Sequence, residues 1–307
     1  MEGTIQDYAL VGMVTFSSYP GLITGEHTMA QVIQEIGADA FFDVVEITWI
    51  EDPKARAEAI QAADASSLSA AYAAQPYLLA RKLNLSALEE SQRRQAVSTC
   101  RQAIDQAVSW DAASFSVLSG PDPGPDSRTR ATDQLVRSLV ELSQYARSKG
   151  NISVALETFD RKPFGKNQLI GPTAEAVQLA QRVRSQVPNF GLLLDLSHLP
   201  LLEETSAAAL ETAKDYLQTV HVGNCLIKDP AHPAYGDNHP PFGTEGGEIG
   251  VPQLAEFLRE LFRVGFLTAG RTRQPILSLE VRPLAGQHPA EIVQASKTAL
   301  VDAFAQI

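Results

Sequence analysis

The chain has 307 residues, 44% hydrophobic and 20% charged, values ordinary for a globular protein long enough to bury a core without disulfide or metal staples. Its formal net charge of -11 argues against a general nucleic-acid binder, which needs a basic stripe over phosphates, and against residence on anionic lipid. Two cysteines, Cys100 and Cys225, make neither a disulfide framework nor a CxxC metal site. No apolar run approaches the ~18–20 residues that span a bilayer. The first residues carry no basic leader, so the expected setting is the cytoplasm.

Short apolar runs alternate with longer helical patterns. The pattern predicts strands over 8–16, 42–48, 68–74, 113–118, 152–157, 190–196, 219–222 and 276–281. Between them it predicts helices over 29–38, 53–63, 86–108, 127–149, 172–186, 203–217, 251–264 and 289–305. Pro53 opens the second helix, Ser86 is expected to cap the third, and Gly150 to end the fourth. Alternating β and α units argue for a parallel sheet, and eight of them for one closed (β/α)8 TIM barrel, α/β in class, spanning 1–307 as a single domain. A glycine fingerprint of an open dinucleotide-binding sheet is missing, since Gly21-Leu22-Ile23-Thr24-Gly25 is not GxGxxG.

In such a barrel the chemistry gathers at the C-terminal strand ends. Strand five ends in Glu157, strand six in Asp195 with His198 just beyond, strand seven in His221 and strand eight in Glu280; strand two contributes Glu46. Strand residues alternate between faces. The bulky Val154 and Leu156 should therefore meet the outer helices, while Ser153, Ala155 and Glu157 point inward. Four strand ends would then converge two Glu, one Asp and one His. Three carboxylates cannot share a small buried space uncompensated. A divalent cation resolves this, and oxygen donors with one imidazole suit Mn2+, Mg2+ or Co2+ better than a thiolate-type zinc site. Any one acid at a strand end is more often a cap or an ion pair; it is the joint pattern that points to a metal.

The pattern resembles the xylose-isomerase-like barrels, the D-tagatose and D-psicose 3-epimerase branch of the sugar isomerases and epimerases in particular. The resemblance covers essentially the whole chain and rests on Leu156-Glu157-Thr158, Leu193-Leu194-Asp195-Leu196-Ser197-His198, His221-Val222-Gly223-Asn224 and Leu279-Glu280-Val281. It implies one divalent ion, Mn2+ first and Mg2+, Co2+ or Zn2+ as alternatives, on Glu157, Asp195, His221 and Glu280. It further implies that Glu157 and Glu280 act as the acid–base pair and that His198 contacts a substrate oxygen; Arg161 also has its counterpart there. Two positions depart from the pattern. Where the ketose epimerases carry an Arg six residues beyond the ligand His, this chain has Ile227, followed by Lys228. Where they carry a substrate-contacting Glu, it has Pro163.

The polar segment 228–250, expected to cover the mouth, resembles metal-dependent enzymes that cleave C-glycosides after oxidation at the sugar's 3-position. Glu46, Arg161, Lys166, His198, His239 and Arg282 are the candidate substrate contacts, and Phe16 and Trp49 are either sugar platforms or core. The expected activity is a sugar isomerase or epimerase working through an enediolate. A lyase on 3-oxo C-glycosides is the alternative. A phosphodiesterase like the barrel AP endonucleases and a non-catalytic sugar-binding barrel are remoter. The expected partner is a small sugar or glycoside, with no nucleic acid and no membrane, in a homo-oligomer or with a partner subunit.

Overall fold

The computed structural model describes residues 3–161 and 164–307, so Pro163 lies outside the described residues. Eight parallel strands pair in chain order and close on themselves: β1 (Leu10–Val14), β2 (Val44–Ile47), β3 (Ser69–Ala73), β4 (Ser114–Val117), β5 (Ser153–Glu157), β6 (Phe190–Asp195), β7 (Leu217–Val222) and β8 (Ile276–Leu279). The outer helices are Met29–Gly37, Pro53–Ala65, Glu90–Ser109, Pro125–Lys149, Thr173–Arg184, Ser206–Ala213, Val251–Arg263 and Pro289–Phe304. No helix among the described residues is long and apolar enough to cross a membrane.

The period-2 alternation of the strands divides the core in two. Val11, Met13, Val45, Ile47, Tyr72, Phe115, Val154, Leu156, Leu192, Leu194, Val220, Val222, Leu277 and Leu279 all join the large apolar cluster shared with the helices. Most of the alternate positions are small or polar and turn into the barrel. There Val44, Ala71 and Ile276 form a separate small cluster with Leu10 and Ala113. A regular β-strand places one set outward and the other inward, so the small and ionisable residues along β5, β6, β7 and β8 become a column leading to the mouth, with one register shift where β6 meets β7.

Several helix starts have a local cause. The side chains of Thr28, Asp52 and Thr205 accept from the backbone N–H groups of Gln31, Lys54 and Ala208. Ser86 does not cap the third helix, which begins at Glu90. Its hydroxyl is spent on Asn84 Oδ1 at 2.8 Å in the preceding turn. The strands are shorter than the apolar pattern suggested at several ends. β1 stops at Val14 because Thr15–Ser18 coils into a short helix, and β8 stops at Leu279, one residue before Glu280. Further short helices, Gly21–Thr24, Gln75–Ala80 and His198–Leu201, follow β1, β3 and β6 on the same face of the barrel. The 223–250 segment contains no regular element and returns across the mouth through an antiparallel bridge between Leu226 and Gly236.

Candidate metal centre and catalytic site

Glu157, Asp195 and His221 stand at or near the C-terminal ends of β5, β6 and β7, and Glu280 directly follows β8. One donor atom from each lies within 4.8 Å of every other. None is more than 8% exposed. The register explains the convergence: Asp195 pairs with His221 across β6–β7, and His221 with Ser278, two residues before Glu280, across β7–β8.

Each member is oriented by a neighbour. Gln75 Nε2 donates to Glu157 Oε2 at 2.7 Å, and the Gln75 carbonyl oxygen accepts from Ser116 Oγ, which fixes the amide. Ser17 Oγ donates to Glu280 Oε1 at 2.9 Å. The backbone N–H of Ser197 donates to Asp195 Oδ1 at 2.7 Å. His221 has Glu280 Oε2 at 2.8 Å from Nδ1 and Glu46 Oε1 at 2.9 Å from Nε2.

The 223–250 segment builds a second layer over this floor. Asp237, buried, accepts from Lys166 Nζ at 2.6 Å through Oδ2, and its Oδ1 lies 2.9 Å from His239 Nε2 and 3.1 Å from His198 Nε2. His239 Nε2 is 3.6 Å from Glu280 Oε1, and Nδ1 is 3.8 Å from Asp195 Oδ2. Two glycines allow this approach. A Cβ on Gly223 would stand 2.6 Å from the Glu280 carbonyl and 2.9 Å from His239 Nδ1. Gly236 turns at φ +85, and a Cβ there would meet the Phe164 carbonyl at 2.2 Å. Asn224 staples the two ends of the segment, accepting from Ile249 N–H and donating to the Pro241 carbonyl.

Burial sets the electrostatics. It pushes the Glu157 carboxyl up to about 7, with Glu280 and Asp195 adding to the rise and His198 and His221 opposing it. Burial works against ionising Glu280 as well, but His239 and His221 outweigh it and hold that carboxyl well below its usual range. His221 is raised well above its ordinary value: burial opposes its charge, and Glu46 and Glu280 overcome that. His198 is raised to about 10 against the same burial penalty, chiefly by Asp237 and Asp195.

Burial thus disfavours the Glu157 carboxylate, while the neighbouring carboxylates favour a charged His221. A cation fits the cluster in one respect. Asp195 Oδ2 is buried and has no hydrogen-bond partner among the described residues, a costly state for a carboxylate oxygen. The donor set of three carboxylates and one imidazole matches a divalent ion of the Mn2+ or Mg2+ type. With the Nδ1 lone pair of His221 free for the ion, its Nε2–H would donate to Glu46, the carboxylate–histidine–metal arrangement. Asp195, His198 and His239 also fall within metal-binding span of one another. There, however, both ring nitrogens of His198 are committed, Nδ1 to the Thr158 carbonyl at 2.7 Å and Nε2 to Asp237.

A cavity of about 310 Å³ opens over the floor, lined by Glu157, His221, Glu280, Lys166, Asp237 and His239 among others. Of the candidate substrate contacts, Lys166, His239 and Arg282 line it. Lys166 is pinned to Asp237 and is not a free loop lysine. Arg282 reaches the lining from the loop after β8, with its backbone N–H on the His239 carbonyl. Glu46 and His198 do not line the cavity: each sits fully buried behind it, on His221 and Asp237 respectively. Arg161 does not line it either, because its guanidinium is taken up by Glu175 and the Leu169 carbonyl. Phe16 is on the wall, whereas Trp49 stacks on Tyr77 with ring centroids 4.8 Å apart. Asp237, Ser17 and Gln75 were not legible as site residues. The Asp237-Asn238-His239 spacing is the one sequence signal that could have suggested the first.

The family model for the xylose isomerase-like TIM barrel matches residues 30–297. Among solved structures, a D-tagatose 3-epimerase-like protein superposes with a TM-score of 0.71 at 18% identity, covering 96% of this chain and 98% of that one. A 3-keto-D-glucoside 4-epimerase from E. coli gives 0.68 at 17%, covering 97% and 99%. An AP endonuclease, family 2, from Brucella melitensis gives 0.64 at 17%, covering 94% and 95%. At these identities the likeness establishes the fold. No curated protein sequence matches the chain.

Proposed function

Because the chain belongs to the xylose isomerase-like TIM barrel family, we propose that it is a divalent-metal-dependent sugar epimerase or isomerase with Glu157 and Glu280 as its acid–base pair. One observation carries this reading: two buried carboxylates, members of one metal-type donor cluster, both face the same cavity. Simple sugar binding does not call for that arrangement. Similar folds are described as a D-tagatose 3-epimerase-like protein and a 3-keto-D-glucoside 4-epimerase, which is consistent with it.

A cation held by Glu157, Asp195, His221 and Glu280, Mn2+ being the first candidate, would supply positive charge against the oxygens of a forming enediolate. Within the chain's own residues the work divides as follows. One of the two glutamates takes the proton from the carbon beside the carbonyl, and the other returns one. Return to the other face of the same carbon gives an epimer; return to the neighbouring carbon, with the hydroxyl proton passing from one enediolate oxygen to the other, gives an isomer. Gln75 and Ser17 keep each carboxylate in a fixed orientation through those transfers. Glu46 holds the His221 ring from behind. Lys166, Asp237 and His239 form the polar wall from which hydroxyls would be oriented and water excluded.

The test is a screen of free ketoses, phosphorylated sugars and 3-oxo-glycosides with Mn2+-loaded protein in D2O, followed by proton NMR. Metal-dependent loss of one sugar C–H signal is expected in at least one compound class. Retention of every C–H signal across the panel, with the protein shown to be metal-loaded, would sink the proposal.

A further inference from the structure

The cavity over the metal-type cluster has two unlike ends. Its floor is ionic: Glu157, His221, Glu280, Lys166, Asp237 and His239. Its outer rim carries an apolar patch, Phe16, Ile23, Pro76 and Leu79, from the short helices after β1 and β3, with the exposed Arg282 also on the lining. The rim is also unusually exposed. Four large hydrophobic side chains are left exposed among the described residues, and two of them, Ile23 at 75% and Leu79 at 37%, stand on this lining.

Local structure holds both residues out. Ile23 sits on the turn Gly21–Thr24, which Gly25 ends in the left-handed conformation and which the N–H groups of Glu26 and His27 close onto the Gly21 carbonyl. Leu79 sits on Gln75–Ala80. That helix is anchored by Gln75 on Glu157 and by Tyr77, stacked on Trp49 with Arg81 over its ring at 4.5 Å.

A free monosaccharide makes poor use of such a rim. It carries a hydroxyl on nearly every carbon, and a hydroxyl set against an apolar wall loses its water without gaining a partner. An apolar group placed there gains by covering Ile23 and Leu79. At about 310 Å³ the cavity is at the lower end of the ~300–1,000 Å³ range of small-molecule sites, enough for a sugar with one compact substituent. We propose that the substrate is a 3-oxo-glycoside, whose sugar ring carries the carbonyl that the proton transfer needs and faces the ionic floor, and whose apolar, aryl-type aglycone lies against Ile23 and Leu79. This rests on the sugar-handling reading of the floor given above.

The experiment compares methyl and phenyl 3-oxo-β-D-glucoside binding to the Mn2+-loaded full-length protein by calorimetry. It is repeated on the Ile23→Asn/Leu79→Asn variant and on the conservative Ile23→Val/Leu79→Met variant, each checked for an unchanged melting profile; if the Asn pair does not fold, the single Asn variants replace it. The phenyl compound is expected to bind at least tenfold tighter in wild type and in the conservative variant, and within about twofold of the methyl compound in the Asn variant. Equal affinity in wild type, no binding of either glucoside, or a preference that survives the Asn substitutions overturns the inference. So does light scattering that shows an oligomer falling apart in the Asn variant, since the rim would then be a contact between copies. Deuterium exchange into a sugar without any aryl preference would sink this inference and leave the epimerase reading standing; aryl preference without exchange would do the reverse.

Discussion

Asp237→Asn should loosen the segment that crosses the mouth while leaving the barrel folded. The carboxylate is 1% exposed and holds three cationic or proton-bearing partners, Lys166 at 2.6 Å, His239 at 2.9 Å and His198 at 3.1 Å. Asparagine keeps the shape but removes the charge, and its NH2 must face a donor on one side. Breaking one side of a buried charge cluster costs about 3–5 kcal/mol, and at ~1.4 kcal/mol per tenfold the lower end is over a hundredfold in an opening equilibrium. The segment can open locally, so the cost should appear there more than in the global melting temperature. Hydrogen exchange followed by mass spectrometry reads it directly. Amides of 226–250, among them Gly236 on the Leu226 carbonyl and Glu248 on the Cys225 carbonyl, should exchange about a hundredfold faster or more. Peptides from β5 and β6 should not change. Lys166→Met should have a smaller effect, because that side chain is 28% exposed. Unchanged exchange over 226–250 in Asp237→Asn would refute the claim that this carboxylate anchors the segment.

Other outcomes follow from the same geometry. Metal-free protein should lose thermal stability as pH rises from about 5 to 8. The raised Glu157 carboxyl, to about 7, and the raised His221 and His198 contribute stability that is present at low pH and lost as pH passes through their folded values; the depressed Asp237 and Glu280 already contribute fully above about 4.5. Mn2+ should reverse that slope in a thermal-shift series, and a metal-free melting temperature that climbs through this window would count against the cluster's electrostatics. Gly223→Ala should cost about 1–3 kcal/mol in denaturant melts as an overpacked position, since its Cβ would press on the Glu280 carbonyl and His239; a neutral result would show that the backbone there yields. Gln75→Leu should leave metal content unchanged and lower turnover about 10–100-fold, because Glu157 loses the donor that orients it; metal loss in that variant would mean that Gln75 supports binding instead.

How much of this could be read from the sequence depends on what fixes each residue. The barrel was legible because period-2 alternation leaves no freedom: once 153–157 is a strand, Val154 and Leu156 must go one way and Glu157 the other, and the apolar cluster divides on that line. Parallel pairing in chain order then brings strand ends to one mouth, so the convergence of Glu157, Asp195, His221 and Glu280 needed no knowledge of loop paths. Residues placed by loops were another matter. Asp237 reaches the site only because Gly236 turns left-handed and Gly223 leaves room, and its partners Lys166 and His198 come from segments about 40–70 residues away. Arg161 shows the converse. Its position four residues after Glu157 suggested a substrate contact, yet Glu175, at the start of the next helix, captures the guanidinium. Ser86 likewise has a nearer partner in Asn84 than the helix that follows it.

The central claim is that Glu157 and Glu280 move protons and are more than ligands. The most direct measurement is turnover of Glu157→Gln, Glu280→Gln and Asp195→Asn across a Mn2+ titration, with bound metal quantified in parallel. Glutamine keeps the size and one oxygen donor but removes the base, and general acid–base catalysis is worth ~10²–10⁴-fold. Both Gln variants should therefore stay at least a hundredfold below wild type at saturating Mn2+, while Asp195→Asn, whose defect lies in holding the ion, should recover in part. Full recovery of the two Gln variants once the metal site is filled would contradict the account.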